Sequence, residues 1–322
     1  MTLFRFPPPG RQVFIQGFLA AYRRTSLQQA LRVGVTRVPA AVLRDEMLRY
    51  APADGLQALQ IRGIRDETVF ATPSLLREAP GLLGYYRLLL GISQKSFYTT
   101  KTGLSIFRSM EDRQVVGPTA KEQLDYLCQQ INLALRDLVV ALPADSLPDD
   151  IEQLPLLTLG AQADGAWRGQ IGQKATANVF EAMVVIISDH KGQDMVRTGS
   201  SVTVQNSAGR VVTLALAPDP DVVIRETVNG QSVYKAAIEI KGGTDYANLH
   251  NRVGEAEKSH QKARADGARD CWTVISLDRA DIAKLKQESP STREWFDLNE
   301  VVEMDGPSWD RLVNVTITAM GI

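Results

Sequence analysis

The sequence predicts an α/β protein of mixed α+β order, in which a mainly helical N-terminal domain precedes a mixed sheet flanked by helices. Three observations carry this. Apolar residues of the first 142 positions recur at helical spacing, as in Leu124, Leu127, Ile131, Leu135 and Leu138. Beyond the break Pro143-Ala-Asp-Ser-Leu-Pro-Asp-Asp150, β-branched runs interleave with helical patterns, the order that covers a sheet on both faces. Within that second half, a polar turn at Asn229-Gly230-Gln231-Ser232 separates two short strand-like runs. A length of 322 residues suits about two domains, expected at 1–145 and 151–322.

In chain order, residues 26–33 read as a short capped helix closed by Gly34, and 39–50 as a second helix with Pro39 at its first turn. Two helices and a tight turn suggest a helix-turn-helix. Residues 59–64 and 68–71, on either side of Arg65-Asp66-Glu67, read as a small hairpin that would make the unit a winged helix. Patterns of this kind are more often ordinary helical packing. A third helix carries Tyr85, Tyr86 and Arg87, its aromatics expected in the core from the spacing of Leu83, Tyr86, Leu89 and Leu90. A further helix is expected over 120–142.

The second half is expected to hold a helix over 175–187 carrying Glu181, a strand pair near 201–217, a hairpin of 221–224 with 236–241, a long helix over 244–265 and a strand over 271–277. Side chains alternate along a strand, so Glu239 and Lys241 share one face while Ile238 and Ile240 point into a core. Asp221 and Val223 likewise lie opposite Val222 and Ile224. Pairing these strands brings one Asp, one Glu and one Lys to the rim of a sheet. A hard divalent ion such as Mg²⁺ takes oxygen ligands at about 2.1 Å and keeps several waters, so two carboxylates with a nearby ammonium suit phosphodiester hydrolysis. Alone, a Glu-x-Lys on a strand is usually a solvated face. Here Asp221 and Glu239 lie 18 positions apart across a turn, and Gly242-Gly243 lets the chain leave the strand sharply after Lys241.

Composition narrows the class. No stretch approaches a membrane span and the first residues lack the apolar core of a secretory signal, which points to the cytoplasm. Cys128 and Cys271 stand far apart in apolar settings, against a disulfide framework or a cysteine zinc site. Charge is uneven: residues 1–142 hold 18 Lys and Arg against 11 Asp and Glu, and the remainder 18 against 26. A basic N-terminal half is compatible with DNA recognition through the phosphates. No phosphate-binding Gly-rich loop and no nucleophile elbow occurs, so nucleotide hydrolysis and serine acyl transfer have no support.

Pro220-Asp221 with Glu239-Ile240-Lys241 resembles the motif of the PD-(D/E)XK nucleases. The stretch from Lys241 through Gly242-Gly243 to Ala263, and Leu82-Leu-Gly-Tyr-Tyr-Arg through Lys95, are similar to type II restriction endonucleases of the XcyI group. This resemblance implies a restriction-endonuclease-like α-β-β-β-α-β core in a bacterial, cytoplasmic enzyme. It implies catalysis by Asp221, Glu239 and Lys241, with Mg²⁺ held by Asp221, Glu239 and Ile240. Its implied substrate is double-stranded DNA, cut by a homodimer at a GC-rich palindrome. In many such folds an acidic residue of the first helix approaches the metal, and Glu181 is the candidate, although a solvated carboxylate opposite Phe180 and Val184 explains it equally well. Pro218-Asp219 offers a second Pro-Asp pair; Asp221 is favoured because it directly precedes Val222-Val223-Ile224.

On the long helix, Tyr246, Leu249, Val253 and Ala256 are expected to face the sheet. That leaves Asn251, Arg252, Glu255, Lys258 and His260 on more exposed faces, with Asn251, Arg252, Lys258 and His260 as candidate DNA contacts. A charged helix face is also what solubility alone produces. The competing class is a sequence-specific DNA-binding regulator with a non-catalytic C-terminal domain.

Overall fold

The computed structural model describes residues 9–143, 145–243, 248–277 and 282–322. The chain packs as two compact units, Met1–Trp167 and Arg168–Ile322.

The first unit is helical: α1 (Gly10–Arg23), α2 (Gln28–Arg37), α3 (Ala40–Tyr50), α4 (Ala53–Ile61), α5 (Pro73–Glu78), α6 (Leu82–Leu89), α7 (Gln94–Phe97), α8 (Arg108–Arg113), α9 (Pro118–Glu122), α10 (Leu124–Ala141) and the start of α11 (Pro148–Lys191). Starts follow local chemistry. Thr72 caps α5 by accepting from the Leu75 N–H, with Pro73 in the first turn, and the Ser93 hydroxyl accepts from the Ser96 N–H at 3.1 Å to cap α7. The expected helix pair appears as α2 and α3, but α2 runs through Gly34 to Arg37 instead of closing there, and the helix expected over 120–142 is split into α9 and α10.

The small wing is a correction. Residues 53–61 form α4, and 66–68 a 3₁₀ turn, so among the described residues the first unit contains no strand. Leu56 and Leu59 stand three apart and both pack against the core, a helical period rather than an alternating one. The buried stretch Val69-Phe70-Ala71 has no strand partner; instead the Asn132 carboxamide accepts from the Ala71 N–H and donates to the Ala71 carbonyl, each at 2.8 Å. The Val69 and Phe70 N–H groups donate to the Asp66 carbonyl, so local turns and one side chain take the place of a second strand.

Helix α6 is buried along its whole length, Arg87 included. Tyr85 donates to the Thr68 carbonyl at 2.8 Å and Tyr86 to that of Glu67 at 3.0 Å. Arg87 donates to both carboxylate oxygens of Glu111, at 2.6 and 3.0 Å, and the Tyr98 hydroxyl donates to the same group at 2.9 Å.

The division between units falls inside α11, beyond the Pro- and Asp-rich break; the helix expected over 175–187 is the later part of this one long helix. The second unit's sheet has, among the described residues, seven strands in sequence order: β1 (Val196–Thr198), β2 (Ser201–Gln205), β3 (Val211–Leu216), β4 (Val222–Val228), β5 (Gln231–Lys241), β6 (Cys271–Ile275) and β7 (Glu294–Asp297). The first five are antiparallel neighbours; β5, β6 and β7 run parallel. Parallel pairs need crossovers, supplied by α12 (Leu249–Ala265) between β5 and β6 and by α13 (Ile282–Glu288) between β6 and β7. After β7 come α14 (Leu298–Glu303) and α15 (Pro307–Met320). Asn229 and Gly230, with φ of 52° and 78°, make a two-residue Asn-Gly turn, so both motif strands run longer than the expected segments.

Alternation divides the sheet into two faces. Val222, Ile224, Ile238, Ile240, Trp272 and Val274 pack with Val179, Phe180 and Met183 of α11 and with Leu312 and Met320 of α15. On the other face, Ala237 and Cys271 meet Ala263 of α12, while Ile275 meets Leu249 and Val253 of α12 and Leu285 of α13. Leu249, Val253 and Ala256 are buried as expected; Tyr246 lies outside the described residues. None of the described helices is long and apolar enough to cross a membrane.

Candidate active site

The site is built where β4 begins beside the end of β5. Val222 pairs with Ile238, so β5 runs on past the paired segment through Glu239, Ile240 and Lys241, and Asp221 lies level with that extension. The Asp221 carboxylate accepts from the Ile240 N–H at 2.8 Å. The N–H and carbonyl of one strand residue point to the same side, so the Ile240 carbonyl faces the edge that Asp221 occupies.

Glu239 is buried on the α12 face, beside Thr273 of β6. Lys241 Nζ lies 2.9 Å from its Oε1 and 3.5 Å from Glu255 Oε2 of α12. Asp221, Glu239 and Lys241 therefore converge on one face, as alternation along the strands requires. Burial raises the pKa of Asp221 and outweighs the Ile240 N–H and the Lys241 charge, which lower it. Burial and then the charge of Asp221 raise that of Glu239. For Lys241, burial alone would favour loss of the proton, but the attraction of Glu239 and Glu255 prevails and its pKa is raised. At neutral pH it is an ammonium. Two desolvated carboxylates that each raise their affinity for a positive partner form a place where a cation is stabilised.

The two Pro-Asp pairs face different partners. Asp219 turns to α12, where Ser259 Oγ donates to its Oδ1 and Lys262 Nζ to its Oδ2, each at 2.7 Å; those bonds lower its pKa. Asp221 turns to β5.

On α12, Asn251 and Lys258 are exposed and Arg252 is partly exposed, donating to the carbonyls of Gly243 and Asn248. The exposed position expected for His260 is corrected: its ring is fully buried, with Nε2 2.9 Å from the Thr273 hydroxyl. Burial pushes its pKa down to about 4, so it is neutral. It belongs to a polar seam in which Thr273 meets Thr292, Thr292 meets Ser289, and Glu257 accepts from Ser289 and Ser291. Polarity misled the sequence reading here, because His260 falls within the buried stripe of Val253, Ala256 and Ala263. Glu181 is engaged elsewhere: Arg197 of the edge strand β1 donates to both of its carboxylate oxygens, three strands away from β4. Ser259 and Lys262, which sequence reasoning missed, share with Glu255 and Lys258 one stripe at spacings of three and four, the signal that would have found them.

The XcyI restriction endonuclease family model matches residues 17–322. The type II restriction enzyme XcyI of Xanthomonas campestris pv. cyanopsidis is 39% identical over 297 residues, covering 91% of this chain and 88% of its own length. The type II restriction enzyme Cfr9I of Citrobacter freundii is 37% identical over 309 residues, covering 95% and 93%. A match spanning both units, from α1 to the last residue, together with the carboxylates and lysine gathered at the end of β5, leaves no room for the regulator alternative: the chain belongs to the XcyI restriction endonuclease family and is a type II restriction endonuclease.

Proposed function

We propose that the chain hydrolyses phosphodiester bonds of double-stranded DNA at a GC-rich palindromic site, as a homodimer in the bacterial cytoplasm, with Mg²⁺ held by Asp221, Glu239 and the main-chain carbonyl of Ile240. The observation that carries the site assignment is the convergence of Asp221, Glu239 and Lys241 on one face at the end of β5, with Lys241 Nζ 2.9 Å from Glu239. The donor set fits the ion. It offers two carboxylates and a carbonyl, all hard oxygens, and among the described residues no group of three His, Cys, Asp or Glu forms an all-protein cage. Mg²⁺ ordinarily binds through one or two carboxylates, waters and substrate phosphate oxygens, which is the vacancy this set would leave.

When bound, the ion supplies Lewis-acid polarisation of the scissile phosphate. Asp221 and Glu239 keep their negative charge by holding it. The Ile240 N–H fixes one oxygen of Asp221 and so leaves the other for the ion it would hold. Lys241, kept protonated by Glu239 and Glu255, places positive charge where the attacking water and the phosphate gain negative charge. Asn251, Arg252 and Lys258 stand on the helix that flanks the site and are proposed to contact DNA. His260 is withdrawn from that set by its burial. The basic N-terminal stretch, residues 1–145 in the proposed division, is assigned to recognition and residues 151–322 to cleavage. A palindrome follows from two-fold symmetry, since two copies present the same surface to identical half-sites.

Incubation with plasmid DNA and Mg²⁺, with and without EDTA, tests the reading. Discrete fragments that end in one palindromic sequence and vanish with EDTA are expected; EDTA-resistant cleavage removes the metal. Sedimentation on the cognate duplex should give two chains per site.

A further inference from the structure

Asp219 is held with unusual completeness for a carboxylate on a loop. Both of its oxygens are engaged at 2.7 Å, Oδ1 by the Ser259 hydroxyl and Oδ2 by the Lys262 ammonium, two groups three positions apart on α12. The same hydroxyl lies beside Glu239, whose carboxyl pKa it lowers, so it stands between Asp219 and one of the two carboxylates of the site. Asp219 is separated from Asp221 by Pro220 alone, whose ring fixes one backbone dihedral. A movement of Asp219 relative to α12 therefore carries Asp221 with it.

The same helix reaches the site at a second point, where Glu255 approaches Lys241. On its exposed stripe stand Asn251 and Lys258, which face solvent. Helix α12 thus holds Asp219 through Ser259 and Lys262 and Lys241 through Glu255, while its exposed side lies open to a ligand.

We infer that Ser259 and Lys262 are positioning residues for DNA cleavage, acting through Asp219 to orient Asp221 and so tying the placement of a metal-binding carboxylate to the position of α12. This rests on the reading of Asp221 as a member of the active site. Lys262 neutralises Asp219 and keeps a third carboxylate from competing at the site; Ser259 sets the distance between the Asp219 loop and Glu239. A lysine on this helix that simply held a DNA phosphate would act by another route, independent of Asp219 and sensitive to salt.

The two routes separate in a double-mutant cycle on the full chain. Single-turnover cleavage and duplex affinity are measured for Lys262→Ala, Asp219→Ala, the double variant, Lys262→Arg and Ser259→Ala, with Asp221→Ala as the reference for the site itself. Lys262→Ala and Asp219→Ala are each expected to slow cleavage about tenfold, or roughly 1.4 kcal/mol of barrier. The double variant should be slowed by about the same factor, because once Asp219 is gone Lys262 has nothing to hold. Ser259→Ala should slow cleavage and raise the Mg²⁺ concentration needed for half-maximal rate, Lys262→Arg should recover most of the rate, and duplex affinity and its salt slope should match wild type. Additive losses of about a hundredfold in the double variant, a loss carried by duplex affinity with a changed salt slope, or wild-type rates in both single variants would each overturn the inference while leaving the site assignment intact. Wild-type cleavage by Asp221→Ala overturns both.

Discussion

Replacing Lys241 by alanine is the most discriminating perturbation of the proposed site. Its Nζ is 2.9 Å from Glu239 Oε1 and the side chain is 17% exposed. At an effective dielectric of 20, two unit charges at that separation attract by about 6 kcal/mol before desolvation is subtracted. Burial is the largest single influence on Lys241, and the combined attraction of Glu239, Glu255 and Asp221 outweighs it, which is why its pKa is raised rather than lowered. A proton held that firmly is not given up at neutral pH, so the side chain acts as fixed positive charge and not as a general base. Loss of one preorganised contact to developing negative charge costs about 3–4 kcal/mol, or two to three orders of magnitude in rate. Arginine keeps the charge but spreads it over a planar fork, and should recover only part of the rate. A second consequence separates electrostatics from mere packing. The Lys241 charge lowers the pKa of both Asp221 and Glu239, so removing it raises both. Cleavage that needs both carboxylates ionised should then fail at a higher pH than in wild type. The assay is single-turnover cleavage of a cognate duplex with saturating enzyme, repeated across pH. An unchanged rate for Lys241→Ala, or a slowed rate with the acid limb unmoved, refutes the reasoning.

Asp221→Ala and Glu239→Ala should abolish Mg²⁺-dependent cleavage while duplex binding remains measurable in a filter or fluorescence assay, and Asp219→Ala should cost far less; an essential Asp219 with a dispensable Asp221 would reverse the assignment between the two pairs. Because burial raises the pKa of Asp221, the folded state holds its proton more tightly than the unfolded state, so its contribution to stability is full below the ordinary carboxylate pKa and is lost as pH rises through the raised value. Asp221→Asn should therefore raise the metal-free Tm at neutral pH and lose that advantage in acid, as thermal unfolding at the two pH values would report. Glu111→Ala leaves the fully buried Arg87 without its carboxylate and should destabilise the chain by about 3–5 kcal/mol in chemical denaturation, and a change below 1 kcal/mol would mean that the pair is not a fixed buried contact.

The parts of this protein that its sequence determined by itself are those set by short-range geometry. Alternation along Ile238-Glu239-Ile240-Lys241 decides which side chains enter the core before any neighbour is known, because a strand has period two. Asn229-Gly230 sets the turn, since only residues tolerant of positive φ close a two-residue hairpin, but it is a one-residue register shift between Ile224 and Arg225 that then brings Asp221 level with Glu239, on the face of Lys241. Residues whose roles depend on what a distant element presents could not be read this way. His260 is polar and was expected in solvent, yet the register of α12 against β6 turns it onto Thr273. Whether Glu181 joins the site was open from its sequence, and Arg197, on a strand with no distinctive signal, engages it elsewhere. Residues 68–71 have the composition of a strand, but turns onto Arg65 and Asp66 and the Asn132 carboxamide of α10 at Ala71 answer their N–H groups, and no partner strand forms. Asp219 and Asp221 occupy nearly the same local sequence, and only the packing of α12 beside β4 and β5 sends one carboxylate to Ser259 and Lys262 and the other to Ile240. A strand's period is a property of its own backbone, whereas the partner of a charged or polar side chain is a property of whichever element the fold sets beside it.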